Sequence, residues 1–307
     1  MVPGAPGSDL AGGKAMAVIT SAPAITVAPI AADDMPRVAA FLHAHMPARV
    51  PVERWIGAVD VPWNVEAPNA GFMLLDGDAV VGAHLAFYSE RIIDGRVERF
   101  CNLGAWCVLP EHGFHGMRLL KALLGQSGYH FVDLSPSGNV VRINTRLGFR
   151  HLDASTRLIP HLPWPTWRGD VITDPARIEQ VLSGQDLQIF RDHAQTHGAR
   201  HLVLKDGDDV SYVVFRIERW KRLPRRFVSI LHASNPRVFR RLTRRLSRHL
   251  LLHHGTLGTL AEDRIVKLAP PRPSFRIPAP RPRMYRSETL QPGDIDYLYS
   301  ELTCLAW

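Results

Sequence analysis

Cysteine is scarce in this sequence, and long apolar runs are missing. Among its 307 residues are only three cysteines, Cys101, Cys107 and Cys304, at spacings that fit neither a disulfide framework nor a Cys-x-x-Cys motif. No apolar run approaches the roughly 20 residues that a membrane-spanning helix needs. We therefore expect a protein of a reducing compartment, the cytoplasm, rather than a disulfide scaffold or an integral membrane protein.

Several common site motifs are also missing. The histidine pairs His43/His45 and His253/His254 lack the spacing and the companion ligands of a metal site. No Walker loop and no serine nucleophile elbow occurs. We therefore expect no bound metal.

The balance of charge is basic. Lysine and arginine number 37 against 29 acidic residues, for a formal net charge of +8. Such a surplus favours an anionic partner, for example a nucleotide-like cofactor, a phosphorylated or lipid-linked substrate, or an acidic membrane surface. A solubilising surface charge without any partner is the alternative.

Apolar runs alternate with turn signals in a way that predicts a mixed α/β fold. Proline-rich stretches at Pro160–Pro165 and Pro270–Pro282 interrupt the pattern and suggest two domains. The predicted division is a disordered lead-in at 1–24, a first domain at 25–159, a linker rich in proline and tryptophan at 160–172, a second domain at 173–268, and a proline-rich segment with a docking C-terminal helix at 269–307. That last helix is expected over Asp294–Leu305.

The second domain repeats the plan of the first. An Asp-Gly-Asp hairpin turn begins at Asp76 and again at Asp206, and a proline that opens a helix follows at Pro110 and at Pro236. The two turn-to-proline distances are 34 and 30 residues. These spacings favour a divergent internal repeat over a chance recurrence of common hairpins.

Two segments of the first half carry the clearest functional signal. Val108–Leu124 (VLPEHGFHGMRLLKALL) predicts a strand, a glycine-containing loop and a helix. Asn139–Phe149 (NVVRINTRLGF) predicts a helix that ends in Leu-Gly-Phe, and the strand FVDLS lies between the two segments. A strand that delivers a glycine loop to a helix N-terminus is typical of phosphate binding, since backbone amides point outward there.

These segments resemble the GNAT superfamily of acyl-CoA N-acyltransferases. Val108-Leu109-Pro110-Glu111 and the Leu147-Gly148-Phe149 ending match the family pattern, and Gly116 matches the first glycine of its loop. The sequence departs from the pattern elsewhere: Gly113 stands at the family's arginine or glutamine position, Arg118 at its second glycine, and Asn144 at its tyrosine. The resemblance covers about 40% of the chain and implies two GNAT-like domains, the second degenerate.

The resemblance implies acetyl-CoA or another acyl-CoA as donor substrate and assigns roles to particular residues. Arg118 would replace the missing loop arginine, and the strand edge around Cys107 would pair with the pantetheine amides. The residues predicted to bind the donor are Trp106, Cys107, Val108, Gly113, His115, Gly116, Met117 and Arg118. The residues predicted to act in catalysis are Glu98, Asn102 and Asn144, of which Asn102 occupies a position where some family members carry a glutamate base.

The second half carries a cationic amphipathic helix in place of the glycine loop. Its arginines are Arg237, Arg240, Arg241, Arg244, Arg245 and Arg248. We expect this face to contact an anionic surface, either a membrane or a phosphorylated glycan carrier, or to be a solvated face only. If the partner is a membrane, we expect the protein to lie peripherally at its inner face. Base-stacking aromatics are sparse around it, so nucleic acid is not expected as a partner.

The sequence thus favours an acyl-CoA-dependent N-acyltransferase that acts on an amine of a small metabolite or amino sugar. Two alternatives stay open. One is a transferase of the peptidoglycan-bridge type, which also resembles two fused GNAT domains but uses aminoacyl-tRNA. The other is a catalytically inactive scaffold that binds acyl-CoA.

Overall fold

The computed structural model describes Met1 and residues 25–47, 50–219, 226–278 and 281–305. The lead-in predicted at 1–24 lies outside these residues, apart from Met1. Two seven-stranded mixed sheets and nine helices make up the described part of the chain, in agreement with the predicted mixed α/β class.

The first sheet is built mainly from the first half. In spatial order it contains β1 (Thr26–Pro29), β2 (Gly71–Asp76), β3 (Ala79–Ile93), β4 (Arg96–Val108), β5 (His130–Asp133), β14 (Met284–Arg286) and β6 (Arg150–His151). Only β4 and β5 are parallel to each other. Its helices are α1 (Met35–His45), α2 (Val52–Val59), α3 (Gly116–Leu124) and α4 (Gly138–Arg146).

The second sheet has the same topology. In spatial order it contains β8 (Asp170–Ile172), β9 (Arg200–Asp206), β10 (Asp209–Arg219), β11 (Arg226–Ala233), β12 (Gly258–Glu262), β7 (Thr156–Pro160) and β13 (Phe275–Ile277). Again a single pair, β11 and β12, is parallel. Its helices are α5 (Pro175–Val181), α6 (Gly184–His193), α7 (Pro236–His254) and α8 (Asp263–Val266).

Local signals explain how the two copies arise. Both predicted hairpins form, with Asp76 opposite Ala79 and Asp206 opposite Asp209. Each turn contains a glycine at positive φ, +57° at Gly77 and +65° at Gly207, a conformation that other residues adopt only with strain. The internal repeat predicted from the turn spacing is therefore confirmed at the level of topology.

The two sheets exchange one strand each. The chain leaves β6 in the first sheet and forms β7 in the second, where β7 pairs with β12. It later leaves β13 in the second sheet and returns as β14, which lies between β5 and β6 of the first. The predicted boundaries therefore differ from the sheets. Strand β7 belongs to the second sheet although all but its last residue lie within 25–159, and β8 lies inside the predicted linker 160–172.

The C-terminal helix is much shorter than predicted. Only α9 (Glu301–Cys304) is helical in place of Asp294–Leu305, since the Ser300 side chain caps the first turn and Asp296–Ser300 takes an irregular path. The segment docks as predicted: Tyr297, Leu298 and Leu302 are buried and belong to the largest apolar core, which joins residues of both halves.

Candidate active site

The central strands of the first sheet separate after a short paired stretch. Residues of β4 pair with β5 only from Phe100, opposite His130, to Asn102, opposite Val132. The strand β4 then continues to Val108, and its edge has no further strand partner on that side among the described residues. Because Gly104, Cys107 and Val108 are also half-exposed, this edge is open to an extended ligand that carries amides.

A β-bulge lies at the beginning of this open edge. The register of β3 and β4 moves from His84 opposite Trp106 to Ala86 opposite Leu103, so that Gly104 and Ala105 share a single partner position. A bulge releases a backbone amide from the ladder and turns it in a new direction. Glycine is required here, since a Cβ on Gly104 would lie 2.6 Å from the Phe87 ring.

The loop after β4 is more tightly wound than the sequence predicts. Pro110–His115 forms a 3₁₀ turn that runs directly into α3, and the Gly116 amide donates to the carbonyl of Gly113. The Phe114 side chain is fully exposed and does not cover the groove between the separating strands β4 and β5. A Cβ on Gly116 would lie 3.4 Å from Val108 and 3.7 Å from Trp106, so Gly116 borders the open edge of β4.

The other predicted donor-binding residues are distributed around this loop. Arg118 is exposed, and its Nη1 donates to the Ile25 carbonyl at 2.8 Å and lies 3.4 Å from Nδ1 of His115. Gly113 borders open space, while Met117 is half-buried against an apolar core cluster. The guanidinium of Arg118 is thus positioned beside the start of β1.

A stacked pair of rings supports the open edge. The rings of His84 and Trp106 lie 4.8 Å apart and are nearly parallel, with 2° between their planes. His84 is only 2% exposed, and burial lowers the pKa of its imidazole to about 3. The ring is therefore neutral at physiological pH and serves as an aromatic support for Trp106.

Asn102, one of the predicted catalytic residues, lies where the strands part. It is 1% exposed, and its amide is used at both ends: Nδ2 donates to the Val132 carbonyl at 3.2 Å, and Oδ1 accepts the Glu301 amide at 2.7 Å. These bonds tie β4 to β5 and to α9. The Asn102 side chain therefore fixes the apex of the split between the strands.

Glu98, another predicted catalytic residue, is not close to that apex. It lies four residues before Asn102, which corresponds to roughly 13 Å along a strand, and on the far side of the paired stretch from the open edge. Its carboxylate accepts a hydrogen bond from Nε2 of His130 at 2.8 Å. The structure therefore does not bring Glu98 together with the predicted donor-binding residues.

Asn144 is fully buried and joins a carboxyl group that the sequence analysis missed. Its Nδ2 donates to Asp133 at the end of β5, at 2.7 Å. Burial raises the pKa of Asp133 to about 7, although the bond from Asn144 acts in the opposite direction. Asn144 thus binds a carboxyl group that gains or loses its proton near neutral pH.

Glu301 is a second buried carboxyl group beside it. Ser135 donates its hydroxyl to Oε1, while Oε2 has no hydrogen-bond partner within the described ranges. Burial, together with the neighbouring Asp133, raises the pKa of Glu301 to about 7. The buried cluster of Asp133, Asn144 and Glu301, with the exposed Ser135 at its edge, could not be assembled from sequence spacing, because α9 lies more than 150 residues from β5. Local sequence offers no signal for it beyond the polar Asp133 that follows the apolar pair Phe131 and Val132 in β5.

The described residues contain neither a cluster of metal ligands nor a membrane-spanning helix. No group of three or more metal-ligating side chains lies close enough together to hold an ion. None of the helices there is long and apolar enough to cross a membrane.

Comparison with known proteins identifies the fold. No model of a known family and no curated protein matches the sequence. Solved structures do match, among them a GCN5-related N-acetyltransferase from Anabaena variabilis (TM-score 0.54, 12% identity, 86% of this chain and 72% of that one). A conserved protein of unknown function from Enterococcus faecalis, described as a probable N-acyltransferase, matches with a TM-score of 0.56 and 14% identity over 88% of this chain and 74% of its own.

The chain has the GCN5-related N-acetyltransferase (GNAT) fold. A third similar structure is a glucosamine N-acetyltransferase region within a fungal multi-domain β-N-acetylglucosaminidase (TM-score 0.54, 12% identity, 85% of this chain and 38% of that one). These matches extend over both halves of the chain, so the GNAT fold accounts for the two sheets together and confirms the predicted fold.

Proposed function

We propose that this GNAT-fold protein transfers an acyl group from an acyl-CoA to an amine. The observation that carries the proposal is the open edge of β4, which begins at the Gly104 bulge and ends beside Gly116 at the start of α3. An extended pantetheine arm can pair its amides with such an edge. The negatively charged diphosphate then reaches the first turn of α3, where the helix dipole favours anions.

The reaction needs an amine in its neutral form. The amine nitrogen attacks the thioester carbon, the C–N bond forms, and the C–S bond breaks to release the CoA thiolate. A backbone amide freed at the Gly104 bulge is suited to stabilise the developing oxyanion. Because an ordinary thiol has a pKa of about 8.5, the thiolate can leave without a dedicated acid.

The proton of the amine needs an acceptor. The amides of Asn102 and Asn144 cannot accept it, and Glu98 is held by His130 away from the open edge. Asp133 and Glu301 lie where the strands separate, and a pKa of about 7 suits a general base at neutral pH. These two carboxyl groups are therefore our candidates to receive the proton, through water where they are buried.

The acceptor class proposed is a small primary amine, with amino sugars tested first because one similar structure is a glucosamine N-acetyltransferase region. A cytoplasmic location is part of the proposal. All three cysteines are free thiols in the structure, which fits a reducing compartment.

Titration calorimetry with acetyl-CoA tests the donor site. We expect the wild type to bind and Gly116→Glu to lose at least tenfold in affinity, because the new carboxylate would enter the groove beside Val108 and repel the diphosphate. Gly293→Glu, at an exposed glycine with no atom near its Cβ position, controls for the added charge and should bind like the wild type. Because Gly116 is buried, a melting temperature equal to that of the wild type shows that Gly116→Glu is folded. Absence of binding to the wild type, or equal losses in both variants, contradicts the proposal.

Thiol release measured with a panel of amines separates the alternatives. Release of CoA that depends on an added amine supports the transferase. Tight binding of acetyl-CoA without release for any amine favours the inactive scaffold. If the protein retains labelled aminoacyl-tRNA and does not bind acetyl-CoA, the result favours a transferase of the peptidoglycan-bridge type.

A further inference from the structure

The second half contains a cavity whose charged walls are all basic. It has a volume of about 510 Å³ and is lined by Arg237, Arg240, Arg241, Arg244, Leu268 and Pro271. The four arginines are exposed, and no carboxylate is among these lining residues. This volume lies within the range of small-molecule sites, roughly 300–1,000 Å³.

The arginines share one face because of their spacing on α7. Positions 237, 240, 241 and 244 follow the three- and four-residue steps that align side chains along a helix. The opposite face, which includes Phe239 and Leu242, is buried in the core of the second half. Burial of the apolar face therefore fixes the arginines toward the cavity.

The positive charge of the cavity comes from the side chains rather than from the end of the helix. The Asn235 side chain accepts hydrogen bonds from the amides of Arg237 and Val238, at 3.1 and 3.3 Å, and so satisfies the first turn of α7. A ligand in the cavity would meet guanidinium groups, which bind phosphate oxygens in pairs.

Three of the four arginines lack an acidic partner among the residues that the structure describes. Arg241 is paired with Asp206 and with Asp209, and Arg244 lies over the Trp164 ring at 4.8 Å. For Arg237 and Arg240, no carboxylate lies within 4.0 Å in the portion of the chain that the structure describes. Like charges three and four residues apart destabilise a helix, and a bound anion would relieve that repulsion.

The position of the cavity in the topology is also informative. Helix α7 follows β11 as α3 follows β4, and α8 follows β12 as α4 follows β5. The strands β11 and β12 pair only over Val228 and Ser229, so the second sheet also opens after a short parallel stretch. The cavity lies between α7 and the segment that follows α8, with arginines where the first half has a glycine-containing turn.

We infer that this cavity binds the phosphate or diphosphate group of a ligand, with Arg237 and Arg240 as its principal contacts. Four guanidinium groups provide bidentate donors for phosphate oxygens, and Leu268 and Pro271 offer apolar contact to the remainder of the ligand. The same chemistry serves a free phosphorylated metabolite and the headgroup of an anionic lipid. The inference does not depend on acyl transfer in the first half.

Calorimetry on the full-length protein with inorganic pyrophosphate tests the site. We expect saturable binding at low salt, weakened at least tenfold in the double variant Arg237→Gln/Arg240→Gln. The control Arg54→Gln/Arg177→Gln removes two exposed helical arginines elsewhere and should retain the wild-type affinity. Gly116→Glu should also retain it, which separates this cavity from the loop of the first half.

Co-sedimentation with vesicles distinguishes the two sources of phosphate. Binding to phosphatidylglycerol vesicles that pyrophosphate displaces identifies a lipid headgroup, whereas pyrophosphate binding alone identifies a soluble ligand; both support the inference. It is overturned if pyrophosphate does not bind, if the control variant loses as much affinity as Arg237→Gln/Arg240→Gln, or if vesicles bind without displacement by pyrophosphate. A melting temperature equal to that of the wild type shows that each variant is folded.

Discussion

Replacement of Glu301 by glutamine should raise the unfolding free energy of the protein at pH 8 and leave that free energy unchanged at pH 4.5. The Glu301 carboxyl group is 1% exposed and accepts a hydrogen bond from the Ser135 hydroxyl on one oxygen only. Glutamine has nearly the same shape and keeps an oxygen for that bond. The variant therefore removes the ability to ionise while it preserves the packing of α9 against the first sheet.

The expected magnitude follows from the pKa of this carboxyl group. It is raised from 4.5 to about 7 by burial, with a contribution from the neighbouring Asp133. The folded state thus holds the proton more tightly than the unfolded state does. The contribution of this group to the unfolding free energy is therefore largest below about pH 4.5, falls as the pH rises toward 7, and is flat above that. Since each pKa unit corresponds to about 1.4 kcal/mol, the loss from this group amounts to about 3 kcal/mol.

Urea denaturation of both proteins between pH 4.5 and pH 8 provides the assay. The unfolding free energy of Glu301→Gln minus that of the wild type should be near zero at pH 4.5 and about 3 kcal/mol at pH 8. Glu288→Gln, an exposed change in the same C-terminal segment, should show no such trend. If the difference for Glu301→Gln is independent of pH, or if the variant is the less stable protein at pH 8, Glu301 is not a buried carboxyl group of raised pKa.

Two further predictions concern the open edge of β4. His84, with a pKa lowered to about 3, holds its proton less tightly in the folded state, so the wild type should lose about 2 kcal/mol of unfolding free energy between pH 7.5 and pH 5 through this group. His84→Gln loses the stacking on Trp106 and has no titrating group at this position, so it is free of this acid sensitivity. Its deficit in unfolding free energy relative to the wild type, measured with urea, should therefore narrow by about 2 kcal/mol between pH 7.5 and pH 5. Gly104→Val should cost about 1–3 kcal/mol, because its Cβ would lie 2.6 Å from the Phe87 ring, and should weaken acetyl-CoA binding in calorimetry at least tenfold. Gly293→Val should do neither, and a Gly104 variant that binds normally would show that the bulge is not needed.

Much of the fold could be predicted because its signals are local. The two Asp-Gly turns determine the hairpins, and the proline after each apolar strand marks the start of the next helical segment at Pro110 and Pro236. The start of α7 has a second local signal, because Asn235 caps its first turn. The bulge at Gly104 also had a local signal that the sequence analysis left unused, since an isolated glycine inside an apolar strand often marks a bulge.

The candidate site could be predicted only in part, because its inner wall depends on contacts between distant segments. The resemblance assigned Trp106, Val108 and Gly116 to donor binding, and these three residues, which lie within eleven residues of one another, are neighbours in the structure. By contrast, no periodicity indicates that β14 would enter the first sheet or that the Glu301 amide would bind Asn102. Such long-range pairings depend on tertiary packing. Strand formation in general depends on this packing more than helix formation does.

The strand exchange gives the degenerate second half a role in the site of the first. Strand β5 pairs with β4 on one side and with β14 on the other. In the sequence, β14 follows every strand of the second sheet. The neighbouring Arg283 donates to the Leu134 carbonyl, and Arg216 from β10 donates to the Leu302 carbonyl of α9 at 3.4 Å. Asp133 and Glu301 are thus enclosed by residues of both halves. The loop of the second half has no glycine, yet the second half remains tied to the first sheet, because that sheet includes β14 and β14 follows the second half in the sequence.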